Sequence, residues 1–226
     1  NNQDGIVVAS HPATVNSAVN LTGNLTNTGN AVIYAGNGSL NITANQIDNA
    51  AQLTSRDHLT TTSQALNNSG SVYAGGNASL TNQGQLTNSA TIAAGNHLNI
   101  DTGSLNQTAE GQLIAGLTPE GTLTTTPANL TVTSRDAQAN AGLNLATGDL
   151  TVTGSALNYT GSQNQAQNIA LTAKTGDINL SGAQSQAVGQ IAITTPASFI
   201  HDSLDAEHKA VMQANHYAIN AGNVSN

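Results

Sequence analysis

One short pattern recurs along the chain at a nearly constant interval, and it limits the available folds more than any other feature. Val32-Ile-Tyr-Ala-Gly36, Ser71-Val-Tyr-Ala-Gly75, Thr91-Ile-Ala-Ala-Gly95 and Gln112-Leu-Ile-Ala-Gly116 are four clear copies. Leu53-Thr-Ser-Arg56 and Val132-Thr-Ser-Arg135, each followed by Asp, read as two degenerate ones. The last residues of the copies fall at 36, 56, 75, 95, 116 and 135, spaced by 20, 19, 20, 21 and 19. The apolar residue three places earlier keeps the same beat: Ile33, Leu53, Val72, Ile92, Leu113 and Val132. A period of this length marks stacked supersecondary units, none of which buries its apolar face alone.

Two further stripes share the period. A Leu-x-Asn pattern precedes each copy at Leu25/Asn27, Ile47/Asn49, Leu66/Asn68 and Leu86/Asn88, then at Leu105 with Gln107 in the Asn place. A third apolar stretch follows the Gly, as in Leu40-Asn-Ile42 and Leu98-Asn-Ile100. Alternation with period two, bounded by Gly, Asn and Ser, reads as short strands. Two or three such strands in about 20 residues suit one coil of a parallel β-solenoid, rising about 4.8 Å per coil. About 11 coils then make a rod on the order of 50 Å long. Asn27, Asn49, Asn68 and Asn88 are expected to form an internal amide ladder, each side chain donating to the next coil.

The composition agrees with a narrow stacked core. Only 7% of residues are charged and 2% aromatic, while 38% are apolar, mostly slim aliphatics; Asn contributes 30 residues and Cys none. The four cations, Arg56, Arg135, Lys174 and Lys209, face 12 acidic residues. That balance excludes a basic nucleic-acid groove and a polybasic membrane patch. No apolar run reaches the roughly 18 residues of a membrane span. The chain opens mid-pattern without Met and is read as a fragment of something longer.

Beyond residue 140 the beat loosens. Thr147-Gly-Asp-Leu-Thr-Val152 and Thr175-Gly-Asp-Ile-Asn-Leu180 match at a spacing of 28, and Ile169-Ala-Leu-Thr and Ile191-Ala-Ile-Thr at 22. Residues 1–140 are accordingly read as regular repeat coils and 141–226 as less regular coils with longer loops. The stretch from Leu117 to Pro127, with Pro119 and Pro127, is expected to bulge from the rod. In the tail, Ile200, Leu204, Val211 and Met212 fit a helical face, but Ile200-His-Asp202 imitates the Leu-x-Asn stripe. Another degenerate coil is preferred there.

The ten residues Leu66-Asn-Asn-Ser-Gly-Ser-Val-Tyr-Ala-Gly75, with Asn68 at the Asn position, carry a resemblance. The pattern is similar to the haemagglutinin repeats of filamentous haemagglutinin and of contact-dependent growth inhibition effectors, exoproteins of two-partner secretion. It covers about 21–135 well and the remainder more loosely. The resemblance implies a right-handed parallel β-helix within a long surface filament, secreted or held at the bacterial cell surface. It also implies an outer-membrane transporter as partner of the parent protein rather than of this segment. Neither an Asn-Pro-Asn-Gly secretion motif nor a charged toxin-like domain is present. The segment therefore resembles interior stalk of an adhesin or inhibition effector, acting as a monomer toward an unknown cell-surface receptor. The less regular half is the better candidate for receptor contact. Absence of Cys agrees with export but does not by itself identify a compartment.

Each candidate site also has a plain structural role. A carbohydrate-active β-helix enzyme needs paired carboxyls roughly 5–10 Å apart. Asp149 and Asp177, in matching Thr-Gly-Asp turns, are the pair to consider if they sit one coil apart. Gly-Asp is more simply a turn dipeptide. Arg56-Asp57 and Arg135-Asp136 read as equivalent turns with solvated charge pairs. His201, His208 and His216 with Asp202, Asp205 and Glu207 are the densest polar cluster, but their spacing is not a helical metal motif. Eleven Asn-x-Ser/Thr sequons, Asn20, Asn24, Asn37, Asn41 and Asn77 among them, follow from composition. Tyr34 and Tyr73 share one repeat position, matched by Thr54, Ala93, Ile114 and Thr133 in other copies, and point outward as a surface-contact candidate. No catalytic residue, metal or cofactor is expected, and the chain is read as non-enzymatic. An autotransporter passenger is the other β-helix alternative.

Overall fold

A computed structural model describes residues 1–9 and 16–226, and among them the chain is all-β with no helix. Every strand pairing is parallel, and each strand pairs with its counterpart one turn along the chain. A typical coil has three strands, such as Leu59–Ser63, Ala65–Asn68 and Ser71–Ala74, here called the first, second and third faces. The third face stacks ten strands. At about 4.8 Å per strand that is a column of roughly 45–50 Å. The first and second faces merge into one 19-stranded sheet because Gln190–Ile200 and His216–Ser225 run through the corner between them. The protein is a β-solenoid.

Strand formation follows from the alternation. In Leu98–Thr102 the burial runs in, out, in, out, in, so Leu98, Ile100 and Thr102 face the interior. Stacking turns these positions into continuous rows. On the first face Leu40, Leu59, Ala78, Leu98, Leu130, Leu150, Ile169 and Ile191 follow one another. On the second, Leu25, Ile47, Leu66, Leu86 and Leu105 do so, and on the third Ile33, Leu53, Val72, Ile92 and Leu113. These side chains form one hydrophobic cluster along the axis.

The Gly of the repeat has a steric reason. A Cβ added to Gly95 would lie 2.2 Å from the Gly75 carbonyl oxygen, and one on Gly75 2.2 Å from that of Arg56. The backbone turns so tightly here that successive coils touch main chain to main chain.

Three sequence readings change. Arg135 is not the sixth anchor: Val132 stacks on Ile100, on the first face. The residue that follows Gly116 in the column is Thr147, because Ala115 pairs with Ala146. Residues 117–127 leave the coil, and removing those 11 residues from the step of 31 from Gly116 to Thr147 restores a step of 20. Consequently Leu145, not Thr133, continues the Tyr34–Tyr73 row. In the tail, Phe199 rather than Ile200 takes the Leu place of the stripe, stacked on Ile178 and 2% exposed. Strand Val211–Gln213 then continues the third face.

Candidate functional surfaces

The buried polar line is the most ordered side-chain feature. Asn27 donates to Asn49 Oδ1 at 2.8 Å, Asn49 to Asn68 at 2.8 Å, Asn68 to Asn88 at 2.9 Å and Asn88 to Gln107 Oε1 at 3.2 Å. Each amide also donates to a main-chain carbonyl of the coil above: Gln52, Ser71, Thr91 and Gln112 respectively. The ladder therefore adds side-chain donors to the carbonyls of the first residues of the third-face strands, and its own buried amide groups are paired, as burial requires.

The line does not end at Gln107. Gln107 donates to the Leu143 carbonyl, and Asn140, in the same row, turns across the core to Asn144 Oδ1 at 2.8 Å. Asn144 donates to Asn164 at 2.8 Å, and Asn164 to Ser185 Oγ at 3.1 Å. Asn144 stacks on Leu113, so the polar row has moved to the third face and replaced its apolar one. The second face compensates. One residue past the Ala139–Asn158 pair, the fully buried Tyr159 occupies the old Asn row and donates to Gln138 Oε1 at 2.9 Å. Burial pushes the Tyr159 phenol strongly upward.

The surface candidates are dispersed. Tyr34 and Tyr73 both lie on the outward side of the third face and are half-buried. Tyr73 donates to the Leu117 carbonyl at 3.0 Å, at the root of the 117–127 excursion. Next to it in the outward row, Ala93 is fully buried and Ile114 is 7% exposed. Burial and then the nearby Glu120 raise the Tyr73 phenol above its ordinary value. Sequence reasoning had a loop here but no signal for what it would touch.

Asp149 and Asp177 are not one coil apart on a shared turn. Asp149 stacks beneath Asn168, which donates to its carboxylate at 2.8 Å; Asp177 stacks above Ala156 on another corner and accepts from the Ser198 backbone at 2.8 Å. Arg56 and Arg135 likewise sit at different corners: the Arg56 amide donates to Ala35, that of Arg135 to Thr102. The Arg135 guanidinium spans two earlier coils, pairing with Asp101 at 3.0 Å and donating to the carbonyls of Asn82 and Gln83.

Nor do the three tail histidines converge. His208 pairs with Asp205 at 2.8 Å in the exposed 201–210 loop. The His208 ring first, then the backbone amides of His208 and Glu207, hold Asp205 below the usual carboxylate range. His201 lies two residues past Phe199, with Nδ1 3.3 Å from Asn226, and His216 stacks on Gln190. Among the described residues no group of three His, Cys, Asp or Glu side chains could hold a metal ion.

A stack of parallel coils with a polar line inside and mostly uncharged faces outside places this chain among the β-solenoids. Against named proteins, an 81-residue stretch, 36% of the chain, is 41% identical to Toxin CdiA of Yersinia pestis. The match covers 2% of that protein's length. No family model and no solved structure matches the chain.

Proposed function

We propose that this chain is an interior stalk segment of a large secreted bacterial exoprotein of the contact-dependent inhibition or filamentous haemagglutinin kind. The similarity to a stretch of Toxin CdiA carries the reading. A stack in which each coil pairs only with its neighbours supports it, because such a body transmits position along its axis. In this reading the rod is non-enzymatic and monomeric. It holds a binding or toxin region of the parent away from the cell surface, and the parent crosses the outer membrane through its two-partner transporter. Residues 1–140 act as plain shaft, and residues 141–226, with the exposed 201–210 loop, are the part that touches a receptor.

The test is binding of this segment to candidate host and bacterial cells, beside an equally long run of regular coils from elsewhere in the parent. Stronger binding by this segment, lost on replacing the 201–210 loop, is the expected result for a receptor role. Equal or absent binding by both would leave the stalk role alone. Glycan cleavage that disappears with Asp149→Asn or Asp177→Asn would overturn the non-enzymatic reading.

A further inference from the structure

The residue just before the first inward-facing position of each first-face strand forms a column along the corner between the third and first faces. It runs Asn16, Ser39, His58, Asn77, His97, Asn129, Asp149, Asn168 and Gln190. Side chains in this column take up backbone N–H groups of the next coil. The Asn77 amide donates to His58 Nδ1 at 2.9 Å, and the His97 amide to Asn77 Oδ1 at 3.2 Å. The Asn129 amide donates to His97 Nδ1 at 3.0 Å, and the Asp149 amide to Asn129 Oδ1 at 2.9 Å. Histidine and asparagine thus alternate in one role.

The two acceptors differ in one respect. An asparagine carbonyl accepts at any pH, whereas an imidazole nitrogen accepts only while it is unprotonated. The geometry defines the neutral ring as the Nε2–H tautomer with the Nδ1 lone pair on the neighbouring amide. A second proton has only Nδ1 to occupy, and there it faces an N–H.

We propose that His58 and His97 make this corner a pH-dependent seam, closed while both rings are neutral and opened at two coil junctions when they take up a proton. Imidazole is the side chain whose change of charge is in general accessible between about pH 5 and 8, which makes it the acceptor in this column that pH can act on. The charged group facing His58 is Asp57, whose carboxylate lies 3.5 Å from Nε2 and remains a partner for the released, protonated ring. In the coil above, His58 meets the uncharged Gly76 and Asn77, and in the coil below Ser39. His97 lies between the uncharged Asn77 and Asn129. The strand hydrogen bonds on either side do not involve a titrating group, so the opening is confined to the corner. At His97 it reaches the return limb of the 117–127 excursion, because Asn129 follows that segment by two residues.

Amide hydrogen exchange tests this directly. Between about pH 7.5 and 5, after correction for intrinsic rates, protection at the Asn77 and Asn129 amides should fall by about three- to tenfold. The His97 and Asp149 amides, held by asparagine carbonyls, should not change. The double variant His58→Asn/His97→Asn installs the column's own alternative acceptor and should hold all four amides constant. An unchanged Asn77 and Asn129 in the parent protein, or the same fall in the variant, would overturn the proposal. Ring nitrogen chemical shifts of the unmodified protein give a second reading that needs no variant. An unprotonated Nδ1 at about pH 7.5 is expected for both rings, and a protonated one would be equally fatal.

Discussion

A buried amide is tolerable in this core because the same amide recurs one coil above it. Asn68 accepts from Asn49 and donates to Asn88, to the Gly70 carbonyl and to the Thr91 carbonyl. Asn68→Ala leaves donors and acceptors of three coils without partners, each worth about 1–3 kcal/mol. A loss of about 3 kcal/mol is expected in urea unfolding. Thr61 is the opposite case: it stands in the apolar row between Ile42 and Leu80, and its buried hydroxyl has no hydrogen-bond partner. Thr61→Val keeps the volume and removes that cost, so unfolding free energy should rise by about 1 kcal/mol. Tyr159 adds a pH dependence of known sign. Burial raises its folded value above the unfolded one. Its contribution is therefore complete below about pH 10, where the unfolded phenol begins to ionise, and is lost as pH rises further. Absorbance titration should show Tyr159 ionising only together with global unfolding.

At the scale of elements, identical residues at identical spacing were legible and changes of face were not. Asn27, Asn49, Asn68 and Asn88 could be read off because one residue type repeats at one position. The crossing from Asn140 to Asn144 could not, since it exchanges a polar for an apolar row between two faces whose assignment depends on register. The same register hid Arg135, whose Val-Thr-Ser-Arg string copies the third-face pattern while lying on the first. The alternating His and Asn column is not legible in the sequence, because its members share a role as acceptors rather than a chemical type. Residues 117–127 are an addition to an otherwise regular coil: without them Gly116-Ala128-Asn129 would lead to Leu130 as Gly95-Asn96-His97 leads to Leu98. A protein lacking 117–127 should keep its β-type circular dichroism. It should lose less than about 3 kcal/mol, mainly through loss of the hydrogen bond from Tyr73 to the Leu117 carbonyl.

Over the whole molecule, charge is kept out of the stacked rows. Ten of the 12 acidic residues lie in corners and loops, and only Asp48 and Asp101 stand on strands. Both have partners: Gln46 and Asn67 donate to Asp48, and Arg135 pairs with Asp101. Repeated like charges would otherwise face one another about 4.8 Å apart. The described ion pairs are all solvent-exposed, and two of the three depend on His protonation. Stability near neutral pH should consequently change by less than about 1 kcal/mol between about 0.05 and 0.5 M salt, measured as the shift in unfolding free energy.

The sequence by itself determined the class of fold, the coil length and the composition of the interior. Strand alternation and a period near 20 leave a chain with so few charges and aromatics one economical way to bury its apolar positions, by stacking. Only the tertiary structure decided which coil an irregular segment belongs to, where the polar line changes face and which side chains hold the corners. Those outcomes depend on register. Register is settled by the summed hydrogen bonds and packing of neighbouring coils, not by any residue's own preference.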